Sequence, residues 1–273
     1  MSVNINKKRI LLFGVGWLGT ELLRELSEND YLIHIATRNI SKWSSFDDKI
    51  EQIHFLSNTH DLHPAINNIS FDIICVMLPP SSIENYVGFI KKICKQSEQV
   101  KQFIFTSSTG VYQNKEGHIN EESIVNEQHV VYKAEQEVKK AFPKACTILR
   151  LSGLISEDRH PTKYLLKKNL IEGGRTPVNL VHRRDVLRAI MMLFEVCGTG
   201  EIFNISHPNH PSRKEYYNAF AKKYFKQELH FIDEGKAKSI DGSKFVNKFG
   251  FDYEMSIWDV EINNTKLIFS SNY

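Results

Sequence analysis

One stretch constrains this chain more than any other: Ile10-Leu11-Leu12-Phe13-Gly14-Val15-Gly16-Trp17-Leu18-Gly19. Its opening apolar run reads as a parallel strand buried on both faces. The run breaks into Gly14-x-Gly16-x-x-Gly19, after which Leu18, Leu22, Leu23 and Leu26 recur at helical spacing. The order is therefore strand, tight turn, helix. In that order each glycine has a steric task. Gly14 allows the sharp turn, Gly16 lets backbone approach a pyrophosphate, and Gly19 lets the helix lie close on the strand. The helix then turns its N–H groups and positive dipole end toward the phosphates. Trp17 and Leu18, inside the same loop, join the three glycines as candidate cofactor contacts.

The strand-helix alternation continues. Residues 31–37 form a second apolar run ending in Thr37-Arg38. An acid at this place would bond the adenine ribose and select NAD. Here no carboxylate repels a 2′-phosphate, and the Arg38 guanidinium offers a fork of donors to one. Thr37 and Arg38 thus put NADP ahead of NAD. Ile53-His54-Phe55 reads as a third strand. Residues 71–78 read as a fourth, stopped by Pro79-Pro80, with Leu78 and Pro79 at the cofactor edge. Ser81, with Glu84 completing a capping box, is expected to open a helix whose apolar face carries Tyr86, Val87, Ile90 and Ile93. Gln102 to Phe105 is the fifth strand, leading into Thr106 and Ser107. Such alternation predicts an α/β fold: a doubly wound parallel sheet of the Rossmann type, with ligands beyond the carboxyl ends of its strands.

Composition narrows the function classes. A net charge of +3 with no basic cluster interleaved with aromatics argues against nucleic acid. No apolar run is long enough to span a bilayer, and residues 1–9 lack a secretory core. The four cysteines, Cys75, Cys94, Cys146 and Cys197, are scattered, and three sit in apolar surroundings that suit reduced, buried thiols. A cytoplasmic protein with a small-molecule substrate is the expectation. His54, His60 and His63 lie close in sequence, but with no cysteine or clear acidic partner they read as loop residues, and no metal site is expected.

Several landmarks occur in a fixed order: Gly14 to Gly19, Thr106 to Tyr112, Arg150-Leu151-Ser152-Gly153-Leu154, Val181-His182-x-x-Asp185-Val186, and Phe203-Asn204-Ile205. In these the chain resembles the extended short-chain dehydrogenase/reductase superfamily of nucleotide-sugar epimerases and dehydratases. Arg159-His160-Pro161, residues 178–182 and Ile240-Asp241-Gly242-Ser243-Lys244 look like its atypical YeeZ-like branch. The resemblance implies a Rossmann domain, here residues 1–155. It also implies a smaller mixed α/β substrate lobe, residues 156–273, some of whose segments return to the first domain. It further implies a homodimer paired through two helices.

Two departures stand out. Phe13 occupies the position where the extended glycine motif usually begins. The Tyr-x-x-x-Lys dyad, which moves the proton and holds the nicotinamide ribose in that superfamily, is absent. Tyr132 has Gln136 one helical turn on, and Lys133 has His129 one turn back. His129 and Lys133 are therefore a degenerate candidate pair, since histidine moves protons near neutral pH. They also read as a polar face near the N-terminus of a surface helix. Ser108 falls at the superfamily's catalytic serine position, or caps the loop.

Beyond residue 150 the candidates are Arg159 and His160, in the loop of residues 154–161, and His182, after residues 178–181. The superfamily places both loops beside the substrate, and an arginine fork suits an oxyanion. Asp185 sits in the first turn of a helix, where a carboxylate meets the positive dipole end. Tyr216, Tyr217, Phe220 and Tyr224 form a stripe that reads as core. The expected protein is an NADP-dependent oxidoreductase or epimerase acting on a small polar, anionic metabolite such as a nucleotide sugar. The competing expectation is a non-catalytic NAD(P)-binding redox sensor or interaction protein that has lost the dyad.

Overall fold

The computed structural model describes residues 7–46, 50–55, 69–97 and 99–262. In chain order its elements are β1 (Arg9–Phe13), α1 (Trp17–Ser27), β2 (Leu32–Thr37), β3 (Gln52–Phe55), β4 (Ile73–Val76), α2 (Tyr86–Lys95), β5 (Gln102–Ser108) and β6 (Gly117–Ile119). There follow α3 (Val130–Ala141), β7 (Cys146–Leu151), β8 (Gly153–Ile155), α4 (Thr162–Leu165), β9 (Leu180–His182), α5 (Arg183–Phe194), β10 (Glu201–Ile205), α6 (Arg213–Phe220), β11 (Lys238–Ile240) and α7 (Ser243–Phe249).

Seven strands make one parallel sheet in the order β10-β7-β5-β4-β1-β2-β3. The chain winds outward through β2 and β3, then crosses to the other side of β1 and continues with β4. This reversal between β1 and β4 is the switch point where an open α/β sheet leaves a crevice at its carboxyl edge. Ile10, Leu11, Leu12 and Phe13 of β1 and Ile73, Ile74, Cys75 and Val76 of β4 are all buried, as strands covered on both faces must be.

Two compact units divide the chain. The first is residues 1–107, 127–149 and 189–202; the second is 108–126, 150–188 and 203–273. In the first, the amide of Gln102 donates to the Leu193 carbonyl at 2.7 Å and Lys8 Nζ to the Phe194 carbonyl at 2.7 Å, tying the returning segment to the sheet. In the second, β6 pairs with β11 and β8 with β9, both parallel. Its core gathers Tyr216, Tyr217, Phe220, Leu229, Ile257, Val260 and Ile262. The aromatic stripe is thus core, and the segment around Trp258 packs on it; Trp258 lies 5.0 Å from the Tyr216 ring. Three of the ordered landmarks also meet here. Tyr112 donates to Asn204 Oδ1 at 2.7 Å, and the Arg150 guanidinium lies 4.8 Å from the Tyr112 ring centre.

One helix start differs from the sequence expectation. Residues 80–82 form a separate 3₁₀ turn, closed by Ser82 Oγ on the Pro79 carbonyl. Ile83 is then extended, with φ −143°. The cap of α2 is Asn85, whose Oδ1 accepts from the Gly88 N–H at 3.1 Å, so Ser81 and Glu84 form no capping box for it. Proline favours a local turn here, and asparagine is a strong cap four residues later. Cys75, Cys94 and Cys146 are buried free thiols, and Cys197 is exposed.

Candidate functional site

The loop after β1 is shaped by what its glycines leave out. Gly14 has φ +87°, and a Cβ there would lie 2.5 Å from the Met77 carbonyl oxygen. A Cβ on Gly19 would lie 2.4 Å from the Gly14 carbonyl oxygen, so helix and loop touch backbone to backbone. Gly16 is different: a Cβ there would meet nothing within 4 Å. Two glycines close the turn, and the third keeps a space open in front of it. Gly16 is also the N-cap of α1, and no side-chain hydrogen bond caps that terminus. Its first turn carries no acidic residue. Open space, uncapped helical N–H groups and no carboxylate together fit a pyrophosphate. Trp17 is half-buried and Leu18 buried at the helix start.

The neighbouring strand ends belong to the same unit. Thr37 closes β2, its Oγ1 accepting from the Asn39 N–H at 3.2 Å, and Arg38 beyond it is exposed. On the other side of β1, Leu78 and Pro79 follow β4, and Thr106 Oγ1 donates to the Val76 carbonyl at 3.2 Å. Ser107 is buried and donates its hydroxyl to Glu135, a fully buried carboxylate on α3. Sequence reading missed Glu135. Its only signal was an acid at a helix position flanked, at apolar spacing, by Val131, Ala134 and Val138. Beneath β2, His34 is buried and stacks on His54 with ring centres 5.4 Å apart. Burial, then the His54 and Arg9 charges, push the His34 pKa down to about 4. His60 and His63 lie outside the described residues.

The catalytic candidates are placed as follows. His129 is the N-cap of α3, its Nδ1 accepting from the Val131 N–H at 3.2 Å. Lys133 is exposed and donates to Gln128 Oε1 at 2.8 Å. Tyr132, Lys133 and Gln136 line a shallow groove of about 490 Å³ with Val87, Glu127 and Glu137. Ser108 accepts from the Gly110 N–H at 3.0 Å, capping the short turn Thr109–Val111. That bond leaves the serine's own proton to be donated elsewhere.

In the second unit the three substrate candidates separate. Arg159 is exposed, on a loop pinned by backbone bonds to Ser156 at 2.9 and 3.0 Å. His160 turns into the core of its unit. Its ring is 1% exposed and stacked 4.3 Å from Phe220. Nε2 lies 3.0 Å from the Tyr216 hydroxyl, which itself donates to the Ile257 carbonyl at 2.8 Å, and Nδ1 accepts from the Thr162 N–H at 3.4 Å. Both nitrogens are engaged, and burial, then the Lys163 charge, lower its pKa to about 3. His160 is a neutral core residue, not a substrate ligand, because a loop position in sequence says nothing about which way the ring turns. His182 is also buried, with Nδ1 accepting from the Arg184 N–H at 3.2 Å. That bond places its proton on Nε2, 3.7 Å from Glu157 Oε1. Burial lowers its pKa, while Glu157 and Asp185 oppose the shift. Asp185 is fully buried and accepts from the Glu254 and Met255 N–H groups, both at 3.1 Å, and from Arg188 at 3.0 Å.

A family model described as NAD(P)H-binding matches residues 14–195. Protein YeeZ of Escherichia coli strain K12 is 28% identical over 267 residues, covering 90% of this chain and 96% of that protein. Among solved structures, a UDP-glucuronic acid 4-epimerase from Bacillus cereus in complex with NAD superposes with a TM-score of 0.76 at 16% identity, covering 92% of this chain and 93% of that one. A dTDP-glucose 4,6-dehydratase from Bacillus anthracis, in complex with NAD, gives 0.72 at 17% identity over 92% of this chain and 93% of its own. Vestitone reductase from alfalfa gives 0.71 at 20% identity over 93% and 96%. At these identities the structural likeness establishes the fold.

Proposed function

Since the chain belongs to the NAD(P)H-binding family, we propose that it is an NADP-dependent oxidoreductase or epimerase acting on a small anionic metabolite, with a nucleotide sugar the leading class. The observation that carries this reading is the space in front of Gly16, kept open by a missing Cβ and faced by an uncapped helix terminus. When bound, the dinucleotide supplies hydride transfer. The residues of the chain supply the rest. Backbone N–H groups of the loop hold the phosphates, and Arg38, exposed at the end of β2, holds a 2′-phosphate. Ser108 keeps a hydroxyl proton for a substrate oxygen, and Arg159 offers a fork to the substrate's anion. Solved structures of similar fold in complex with UDP-glucuronic acid or UDP-glucose, and the dTDP-glucose 4,6-dehydratase, support the nucleotide-sugar class.

A second reading has its own support. His129 Nδ1 accepts the cap bond of α3 and Lys133 donates to Gln128 Oε1, contacts that support reading the pair as a polar helix face. This favours a dinucleotide-binding sensor without turnover. One experiment tests both. Calorimetric titration is expected to show NADPH binding about tenfold or more tighter than NADH, with Arg38→Asp reversing the order, as one charge-assisted phosphate contact contributes about 1.5–3 kcal/mol. Equal affinities in the parent protein would remove the NADP preference. Incubating the NADPH complex with nucleotide sugars and following absorbance and products separates enzyme from sensor.

A further inference from the structure

The buried face of α3 is apolar except at one place. Val131, Ala134 and Val138 recur at helical spacing, and Glu135 stands among them with 0% exposure. A carboxylate in such a place is costly to bury unless it is hydrogen-bonded, and an apolar side chain would pack there without that cost. Its partner is Ser107, itself buried, whose hydroxyl donates to Glu135 Oε1 across 28 residues of sequence. The Tyr86 phenol of α2 is the second neighbour. Tyr86 is buried and donates to the Leu78 carbonyl at 3.0 Å. Burial, and then the charge of Glu135, raise its pKa well above the usual tyrosine value.

These contacts all converge on one side of the switch point. The sheet order β5-β4-β1-β2 sets the geometry. A dinucleotide with its pyrophosphate over the β1 loop and its adenine ribose at the end of β2 must extend its other half over β4 and β5. Leu78 follows β4, and Ser107 is the penultimate residue of β5. We propose that Glu135 is a positioning residue for the nicotinamide half of the cofactor: through Ser107, and beside Tyr86, it fixes the ends of the two strands on which that half rests. The inference rests on the dinucleotide reading above and goes beyond it in assigning a role to a residue outside the glycine loop and the missing dyad.

The test compares a whole dinucleotide with its adenine half. The parent, Glu135→Gln, Glu135→Ala and Ser107→Ala proteins are titrated calorimetrically with NADPH and with 2′,5′-ADP; if the parent prefers NADH, then NADH and ADP replace them. Glu135→Ala and Ser107→Ala are expected to lose about tenfold in affinity for the dinucleotide, and to keep the adenine half within about twofold. Glu135→Gln retains an oxygen that accepts from Ser107 and is expected to stay within about threefold of the parent for both. A residue that only supports the fold would weaken both ligands alike, so equal losses, or no loss with either ligand, overturn the proposal. If Glu135→Ala fails to fold, Ser107→Ala, which removes one oxygen, decides by the same comparison. A parent that binds neither ligand overturns the dinucleotide reading itself, and this inference with it.

Discussion

Alanine at Gly16 separates cofactor binding from folding more cleanly than any other change in the loop. The backbone at Gly16, with φ −88° and ψ −146°, lies outside the left-handed region that demands glycine, and the added Cβ meets nothing within 4 Å. Gly16→Ala is therefore expected to cost about 1 kcal/mol or less in stability. The same methyl group projects into the space proposed for the pyrophosphate. Loss of one charge-assisted contact to the backbone costs about 1.5–3 kcal/mol, a fall in NADPH affinity of about ten- to a hundredfold. Gly14→Ala behaves in the opposite way. At φ +87° the left-handed backbone costs about 1–2 kcal/mol with a side chain. The clash at 2.5 Å with the Met77 carbonyl adds about 1–3 kcal/mol more. Urea denaturation measures stability, and calorimetry measures affinity. A Gly16→Ala protein that binds NADPH like the parent would refute the assignment of that space to phosphate. One that unfolds as easily as Gly14→Ala would refute the packing argument.

Three further outcomes are expected. His34 has a folded pKa of about 4 against 6.5 for the free side chain, so the unfolded chain takes up its proton first; its contribution is present in full above pH 6.5 and is lost as pH falls to 4. Subtracting the stability-against-pH profile of His34→Leu from that of the parent isolates this slope, and a flat difference between pH 6.5 and 4 would contradict it. Asp185→Ala strands two backbone N–H groups, while the Arg188 guanidinium keeps the Asp252 carbonyl and Glu254, and is expected to cost about 2–4 kcal/mol in denaturant midpoint measurements; a loss under 1 kcal/mol would show that these bonds are replaced by water. His129→Phe removes the cap of α3 at about 1 kcal/mol, and abolishes turnover only if His129 also moves protons, which the rate measured on a folded variant decides.

The sequence by itself determined the parts of this protein whose logic is local. An apolar run broken by glycines at fixed spacing has few backbone solutions, so the strand, turn and helix from Arg9 to Ser27 were legible, as were most strands of the sheet. The missing Tyr-x-x-x-Lys dyad was equally plain, since it depends only on which residues stand one turn apart. Tertiary structure decided what depends on partners distant in the chain. Glu135 looked like any helical acid until β5 placed Ser107 beside it. His160 looked like a site residue until α6 closed over it with Tyr216 and Phe220. Asn85, not Ser81, caps α2 because the two prolines first close a turn of their own. Spacing along a strand or helix fixes which residues share a face. Whether a polar side chain on that face meets solvent, a ligand or another buried group is settled only when the opposing element arrives, because burial and hydrogen bonding belong to pairs of residues and not to either one alone.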